Sequence, residues 1–346
     1  MRAARVLTER QLNRSVLARQ LLLERARLSL PRALERVGGL QAQYAPSMYV
    51  GLWSRVAAFQ RDQLTRALER RAVVQATLMR STIHLVSAGD YWPMAVAVRD
   101  GRRRRWKATH KNLSEPEVAR AAERLRSQLR DGPLKRGEVQ AVIGECELGA
   151  AGAWLEMVRV PPSGTWTRRR ADLFGLAEEW VQRPEVSEAD ALELIVRRYL
   201  GAFGPATPAD VAGWAGIPAP DVEPALERVR LRRFRSELDE DLIDLPRMPI
   251  PEADVIAPPR FLPTWDANLL VHTRRAGILP EQYRPLIFNS KTPQSVGTFL
   301  IDGRVGGTWR FDTGADRIRI EPFEPIPRGA RRELEREADA LAAFHR

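Results

Sequence analysis

One cysteine, Cys146, occurs in 346 residues, so neither an intrachain disulfide nor a thiolate metal cluster can be built. Histidine is almost as scarce. His84, His110, His272 and His345 are scattered without metal-ligand spacing, and no metal or other cofactor is expected. Lysine is confined to Lys107, Lys111, Lys135 and Lys291. No run of about 18 apolar residues exists, and the N-terminus MRAARVLTERQLNR lacks the apolar stretch of a signal peptide, so a cytoplasmic protein without a membrane partner is expected. A phosphate-binding glycine loop, a nucleophile elbow and a zinc-deaminase signature are also missing. The ATPase, elbow-type hydrolase and deaminase readings therefore have no support.

What is present is positive charge. Lys and Arg number 55 against 44 Asp and Glu, for a net charge of +11. Such a balance points to a polyanionic partner, with nucleic acid the default and a nucleoid-associated location its consequence. Nearly all of the excess is arginine, which GC-rich coding also produces. Six cations, Arg99, Arg102, Arg103, Arg104, Arg105 and Lys107, surround Trp106 with Asp100 as the only acid among them. Two readings fit this run, a solvated helix end or an arm that tracks DNA phosphates.

The chain reads as mainly helical with small β-hairpins, an α+β fold. Thr8 can cap a first helix and Pro31 can start a second. A short amphipathic helix begins near Asp62, and residues 73–86 alternate and are β-branched, as in a hairpin. A repeat follows. Residues 132–144 can be laid on residues 204–216, a spacing of 72: both carry Gly-Pro, an acid-Val pair and a Gly that closes a short helix. Each copy follows an amphipathic helix and precedes a hairpin candidate. These are Thr165–Arg170 with Leu173–Leu176, and Arg232–Leu238 with Leu242–Leu245. Helices ending in a hairpin give the order of a winged helix. The expected organisation is unit 1 over 1–112, unit 2 over 113–185, unit 3 over 186–250, and a β-rich C-terminal element with a closing helix over 251–346.

Gly38-Gly39 and Pro46 bracket Gln41-Ala42-Gln43 and argue against an unbroken helix there. In extended backbone the two glutamines project to one side and offer uncharged donors and acceptors to a water or a base edge. Two polar residues on a connection between helices is the plainer reading.

Four motifs occur in order: Gln41-Ala42-Gln43, Met79-Arg80-Ser81-Thr82-Ile83-His84-Leu85-Val86, Leu262-Pro263-Thr264-Trp265-Asp266, and Asp302-Gly303-Arg304-Val305-Gly306-Gly307-Thr308-Trp309-Arg310. Together they resemble the AlkZ/YcaQ family of winged-helix DNA glycosylases over nearly the whole chain. The resemblance implies three tandem winged helices in a C-shaped arrangement around double-stranded DNA, acting as a monomer to excise alkylated purines, including interstrand crosslinks in some members. The Gln-apolar-Gln form is similar to the AlkZ-like branch, which implies self-resistance in producers of DNA-alkylating natural products. The YcaQ branch has Asp where this chain has Gln43.

The chemistry is consistent with amides. A purine alkylated at N7 is cationic and leaves as a neutral molecule without protonation, so the enzyme has to orient a water and aim dipoles at the developing positive sugar. Gln41 and Gln43 are the expected catalytic residues. Arg80, Ser81, His84, Arg102, Arg103, Arg104, Arg105, Asp266, Arg304 and Arg310 are the expected DNA contacts. For His84 a structural hydrogen bond fits as well as DNA contact, and for Arg80 an exposed wing arginine fits as well as a phosphate partner. A β-lyase needs an amine nucleophile, and no lysine here has an obvious pocket context, so a monofunctional enzyme is expected. The alternatives are a non-catalytic winged-helix transcriptional regulator and an RNA-processing enzyme.

Overall fold

The computed structural model describes residues 5–109, 113–270, 277–289 and 294–346; His110, Lys111, His272 and Lys291 lie outside them. The chain opens with β1 (Arg5–Leu7) and α1 (Glu9–Arg19). A first series follows: α2 (Leu30–Val37), β2 (Leu40–Gln41), α3 (Ala45–Trp53), α4 (Arg61–Glu69), β3 (Val73–Thr77) and β4 (Ile83–Ser87), with α5 (Ala88–Thr109) leading out of it. The second is α6 (Glu115–Arg130), β5 (Leu134–Lys135), α7 (Arg136–Ile143), α8 (Leu148–Trp154), β6 (Met157–Arg159), β7 (Leu173–Leu176) and α9 (Ala177–Trp180). The third is α10 (Glu188–Phe203), α11 (Pro208–Ala215), α12 (Ala219–Arg228), β8 (Arg232–Ser236) and β9 (Asp241–Asp244). The C-terminal part holds β10 (Arg260–Leu262), α13 (Arg284–Ile287), β11 (Phe288–Asn289), β12 (Gln294–Ser295), β13 (Gly297–Ile301), β14 (Arg304–Asp312), β15 (Arg317–Pro322) and α14 (Arg328–His345).

The three series share one plan: helix, short strand (a single bridging residue in the third), helix, helix, hairpin. In the first, β2 pairs antiparallel with β4; in the second, β5 pairs with β7; in the third, Ala206 bridges Ile243 of β9. Each time the short strand meets the second strand of its hairpin. Residues 132–144 and 204–216 thus occupy equivalent places, with α7 and α11 each closed by a glycine, Gly144 and Gly216. Local chemistry explains the boundaries. Thr8 and Thr207 form capping boxes with Gln11 and Asp210, and Gly38 ends α2 in the left-handed conformation. Gly39, at φ 80°, turns the chain into β2; a Cβ there would sit 2.9 Å from Val86 Cγ1.

The hairpins of the first two series join edge to edge through Ala76 and Val158, giving a six-stranded sheet of order β2-β4-β3-β6-β7-β5. The expected strand over Thr165–Arg170 is not found. That segment is a turn closed by Gly164 N–H bonds to the Arg168 and Arg170 carbonyls at 2.8 and 3.0 Å, and β6 pairs with β7 instead. The turn-forming Pro161-Pro162-Ser163-Gly164 separates the two strands of that hairpin.

The N-terminus packs on the third series. β1 runs parallel to β8, and Arg19 on α1 makes two bonds to Asp244 at 2.7 and 2.9 Å, both side chains being fully buried. The C-terminal sheet has order β10-β13-β14-β15. Asp302-Gly303 forms its turn, with φ of 47° and 79°, as expected for Asp-Gly in a two-residue hairpin.

Removing Asp244 leaves the Arg19 guanidinium buried without its counter-ion, which typically costs about 3–5 kcal/mol. Asp244→Ala is expected to lower the urea unfolding midpoint accordingly. The Arg19→Met/Asp244→Leu double variant should lose less than the sum of the two single changes. Additive losses would show that the pair does not act as a unit.

Candidate active site

Strand β2 places Gln41 opposite His84 on β4, and the Ala42 N–H donates to the Ile83 carbonyl at 2.7 Å, so the backbone is extended through Ala42. It then bends. Gln43 lies outside the ladder, and its Oε1 accepts the Ile83 backbone N–H at 2.8 Å, taking the place of a main-chain carbonyl. Gln41 is buried and Gln43 exposed. The Gln43 amide oxygen thereby has one lone pair engaged and one free, with fixed orientation.

The turn between β3 and β4 supplies the second part. It closes with the Leu78 N–H on the Thr82 carbonyl at 3.0 Å and holds Arg80 and Ser81 at φ of 53° and 60°. Left-handed backbone is costly for non-glycine residues and persists only where the surroundings fix it. Here the third and first series fix it together: Arg80 Nη1 donates to the Trp214 carbonyl of α11, and Nη2 donates to Gln41 Oε1 of β2 at 3.2 Å. Gly216 makes room, because a Cβ there would lie 2.8 Å from the Arg80 backbone. Burial, with a smaller contribution from the charge of Arg105, lowers the Arg80 pKa to about 10, so the side chain stays cationic at neutral pH.

His84 sits beneath, 3% exposed, with Nδ1 3.0 Å from the Thr82 carbonyl. That acceptor requires the proton on Nδ1. Burial first and the Arg80 charge second push the imidazole down to about 3, so it is neutral. Ser81 and Gln43 face a cavity of about 260 Å³ shared with Thr77, Ile83, Arg102, Arg136, Met157, Arg159 and Phe174. No Asp or Glu is among its lining residues.

The other expected contacts lie elsewhere or are engaged. Arg102 is a correction: it is buried, bonded to Glu156 Oε2 at 3.2 Å and to the Gly152 carbonyl, and is no part of an exposed arm. Arg103 donates to the Ala153 carbonyl at 3.2 Å and lies over Trp154, while Arg104 pairs with Asp221. Arg105 is exposed, and its guanidinium has no hydrogen bond or ion pair among the described residues. Asp266 is engaged as well. It is 4% exposed, pairs with Arg55 at 2.8 Å and accepts from Asn268 Nδ2 at 2.8 Å, so its carboxylate is engaged inside the protein. The last hairpin is docked: Asp302 pairs with Arg10 at 2.7 Å and with Arg14, and Asn13 Nδ2 donates to the Gly303 carbonyl at 2.9 Å. Arg304 is exposed beside that docked turn. Arg310 faces Glu321 at 3.7 Å and lines a separate cavity of about 370 Å³ with Tyr44, Trp166, Phe311 and His345.

Arg136 and Arg159 escaped the sequence reading. The available signal was Val158-Arg159-Val160, a charge between two β-branched residues.

Because folding depresses the His84 pKa from 6.5 to about 3, the unfolded chain binds a proton between those values that the folded chain refuses. Its effect on stability is therefore constant above about pH 6.5 and increasingly unfavourable as the pH falls towards 3. The stability difference between the unmodified protein and His84→Gln, measured by urea unfolding at pH 7.5 and about 4.5, should shift in favour of the variant at the lower pH. A difference independent of pH would refute the neutral, buried assignment.

The DNA glycosylase AlkZ-like family matches residues 34–344. Among solved structures, Streptomyces sahachiroi DNA glycosylase AlkZ superposes with a TM-score of 0.80 at 19% identity, covering 99% of this chain and 98% of that one. A search of curated proteins found no match. The family match runs from within α2 to within α14, with the glutamine strand, the Arg80 turn and the cavity between the first two hairpins inside it, and the chain belongs to the AlkZ-like family of DNA glycosylases.

Proposed function

We propose that this glycosylase is monofunctional and hydrolyses the N-glycosidic bond of purines made cationic by alkylation at N7, with Gln41 and Gln43 as its catalytic residues. The observation that carries the reading is a cavity edged by a fixed amide and by guanidinium groups, with no carboxylate in its lining. Such a site offers no general acid for a neutral leaving base. A cationic base needs none. The free lone pair of Gln43 Oε1 and its Nε2 hydrogens are suited to orient the attacking water. Gln41, held by Arg80, contributes a dipole behind it. The neutral, buried His84 supports the strand rather than transferring a proton.

The same reading takes the three series as winged helices, with the boundaries expected from sequence, that bind double-stranded DNA as a monomer. The Gln-Ala-Gln form favours bulky natural-product adducts or crosslinks as lesions and self-resistance as the setting. Lys107 is paired with Glu115 and Lys135 is exposed; neither lines the cavity, in line with hydrolysis by water rather than by an enzyme amine.

Either Gln→Ala change should slow single-turnover excision of N7-methylguanine by about 10-fold to 1000-fold while lesion-DNA affinity stays nearly constant. Full excision by the double Gln→Ala protein would overturn the assignment. Gln43→Asp separates orientation from base catalysis, since a carboxylate there would add a pH-dependent limb to the rate. For binding, Arg105→Ala is expected to reduce the log-log salt slope by about 0.9, the value for one phosphate contact, and Arg102→Ala to destabilise the fold without changing that slope. A slope altered by Arg102→Ala and not by Arg105→Ala would reverse their roles.

A further inference from the structure

Almost every guanidinium around the junction of the first two repeats has a partner. Arg99 and Arg102 meet Glu156, Arg103 meets the Ala153 carbonyl, and Arg104 meets Asp221. Arg159 does not. Its Nε is buried without an acceptor, and the guanidinium has no hydrogen bond or ion pair among the described residues; its one contact of note is the Phe174 ring, 4.8 Å away. Arg159 is half-buried, and a partly desolvated cation without a counter-ion is costly unless an anion binds there. Burial and the nearby charges of Arg102 and Arg136 lower the Arg159 pKa only to about 10, so the charge is retained at neutral pH.

Arg159 lines the same cavity as Gln43 and Ser81, and Arg136 stands at its rim, exposed. Its position relative to Gln43 is rigid. Arg159 follows Val158, which pairs with Ala76 of β3, and Ala76 in turn pairs with His84 of β4, opposite Gln41. The nature of the anion follows from charge. A cationic alkylated base would be repelled by this corner, whereas a phosphodiester supplies a negative charge and oxygen acceptors for the fork of an arginine.

We propose that Arg159, assisted by Arg136, binds the DNA phosphate flanking the lesion nucleotide and so anchors the damaged strand in front of Gln43. The assignment rests on the reading of Gln43 as the reaction centre. It makes the second repeat part of the substrate site: the first repeat holds the water and the second holds the strand.

The test is a binding experiment on the full chain, with a duplex carrying one non-hydrolysable 2′-fluoro N7-methylguanosine. Arg159→Met keeps bulk against Phe174 and should weaken binding on the order of 10-fold, the loss of a charge-assisted contact, and reduce the salt slope by about 0.9. Arg159→Lys should restore most of the slope, which a purely structural role would not produce. Methylphosphonate is then placed at each phosphate near the lesion in turn. One flanking position should weaken binding by the unmodified protein and leave Arg159→Met unaffected. An unchanged salt slope in Arg159→Met, or methylphosphonate losses equal in both proteins at every position, would overturn the proposal. Its failure is separable from that of the catalytic reading, because Gln43→Ala is scored by excision and Arg159→Met by binding alone.

Discussion

The arrangement of the site depends on one side chain in an unfavourable backbone conformation, Arg80. Its left-handed φ of 53°, followed by Ser81 at 60°, typically costs on the order of 1–3 kcal/mol per residue and has to be offset by what the turn then reaches. It reaches across two parts of the molecule at once: the Trp214 carbonyl at the end of α11 and the Gln41 amide on β2. The missing Cβ of Gly216 permits the approach. A charge-assisted bond to each acceptor is stronger than a neutral one, and the low local dielectric that raises the cost of burying the cation also strengthens both bonds. The third repeat is thereby connected to the orientation of Gln41, although it contributes no lining residue to the cavity beside Gln43.

That constraint also sets the electrostatics. Arg80 is a permanent positive charge near His84, and burial together with that charge keeps the imidazole neutral throughout the physiological range. A neutral histidine with Nδ1 held by the Thr82 carbonyl acts as a strut in β4. The motif from Met79 to Val86 is thus a mechanical unit: a strained turn, a half-buried cation and a fixed imidazole, which together position Gln41 on the facing strand and Gln43 just beyond it.

How much of this was legible in the sequence depended on the range over which each signal acts. Turn and cap chemistry is local, so Thr8, Gly38-Gly39, Gly216 and Asp302-Gly303 could be read directly. The repeat was legible because Gly-Pro and a closing glycine recur at matching helix positions. Ion pairing is not local. Asp266 was an expected DNA contact, but its partner is Arg55, 211 residues earlier in the chain. The arginine run looked uniform, yet Val98, Arg102 and Trp106 lie four residues apart on one buried stripe of α5, which helical periodicity alone would have separated from Arg104 and Arg105. The parallel pairing of β1 with β8 had no signal in a three-residue strand, and the docked hairpin turn depends on Arg10 and Arg14, distant in sequence.

Charge further explains why amides suit this cavity. With Arg136 and Arg159 in the lining and no acid among the lining residues, a carboxylate at position 43 would be drawn into ion pairing and would lose the free lone pairs a water needs. It would also compete with a DNA phosphate for the same guanidinium groups. An amide avoids both outcomes. It accepts the Ile83 N–H to fix its plane, keeps a second lone pair and two N–H groups, and carries no charge that the arginines can capture. On the proposed reading, positive charge in the wall then remains available for a phosphodiester, and neutral dipoles are left for the sugar where positive charge would develop. Holding a strand by its phosphates places cationic groups close to the reaction, and uncharged glutamines are the hydrogen-bonding groups that such surroundings leave undisturbed.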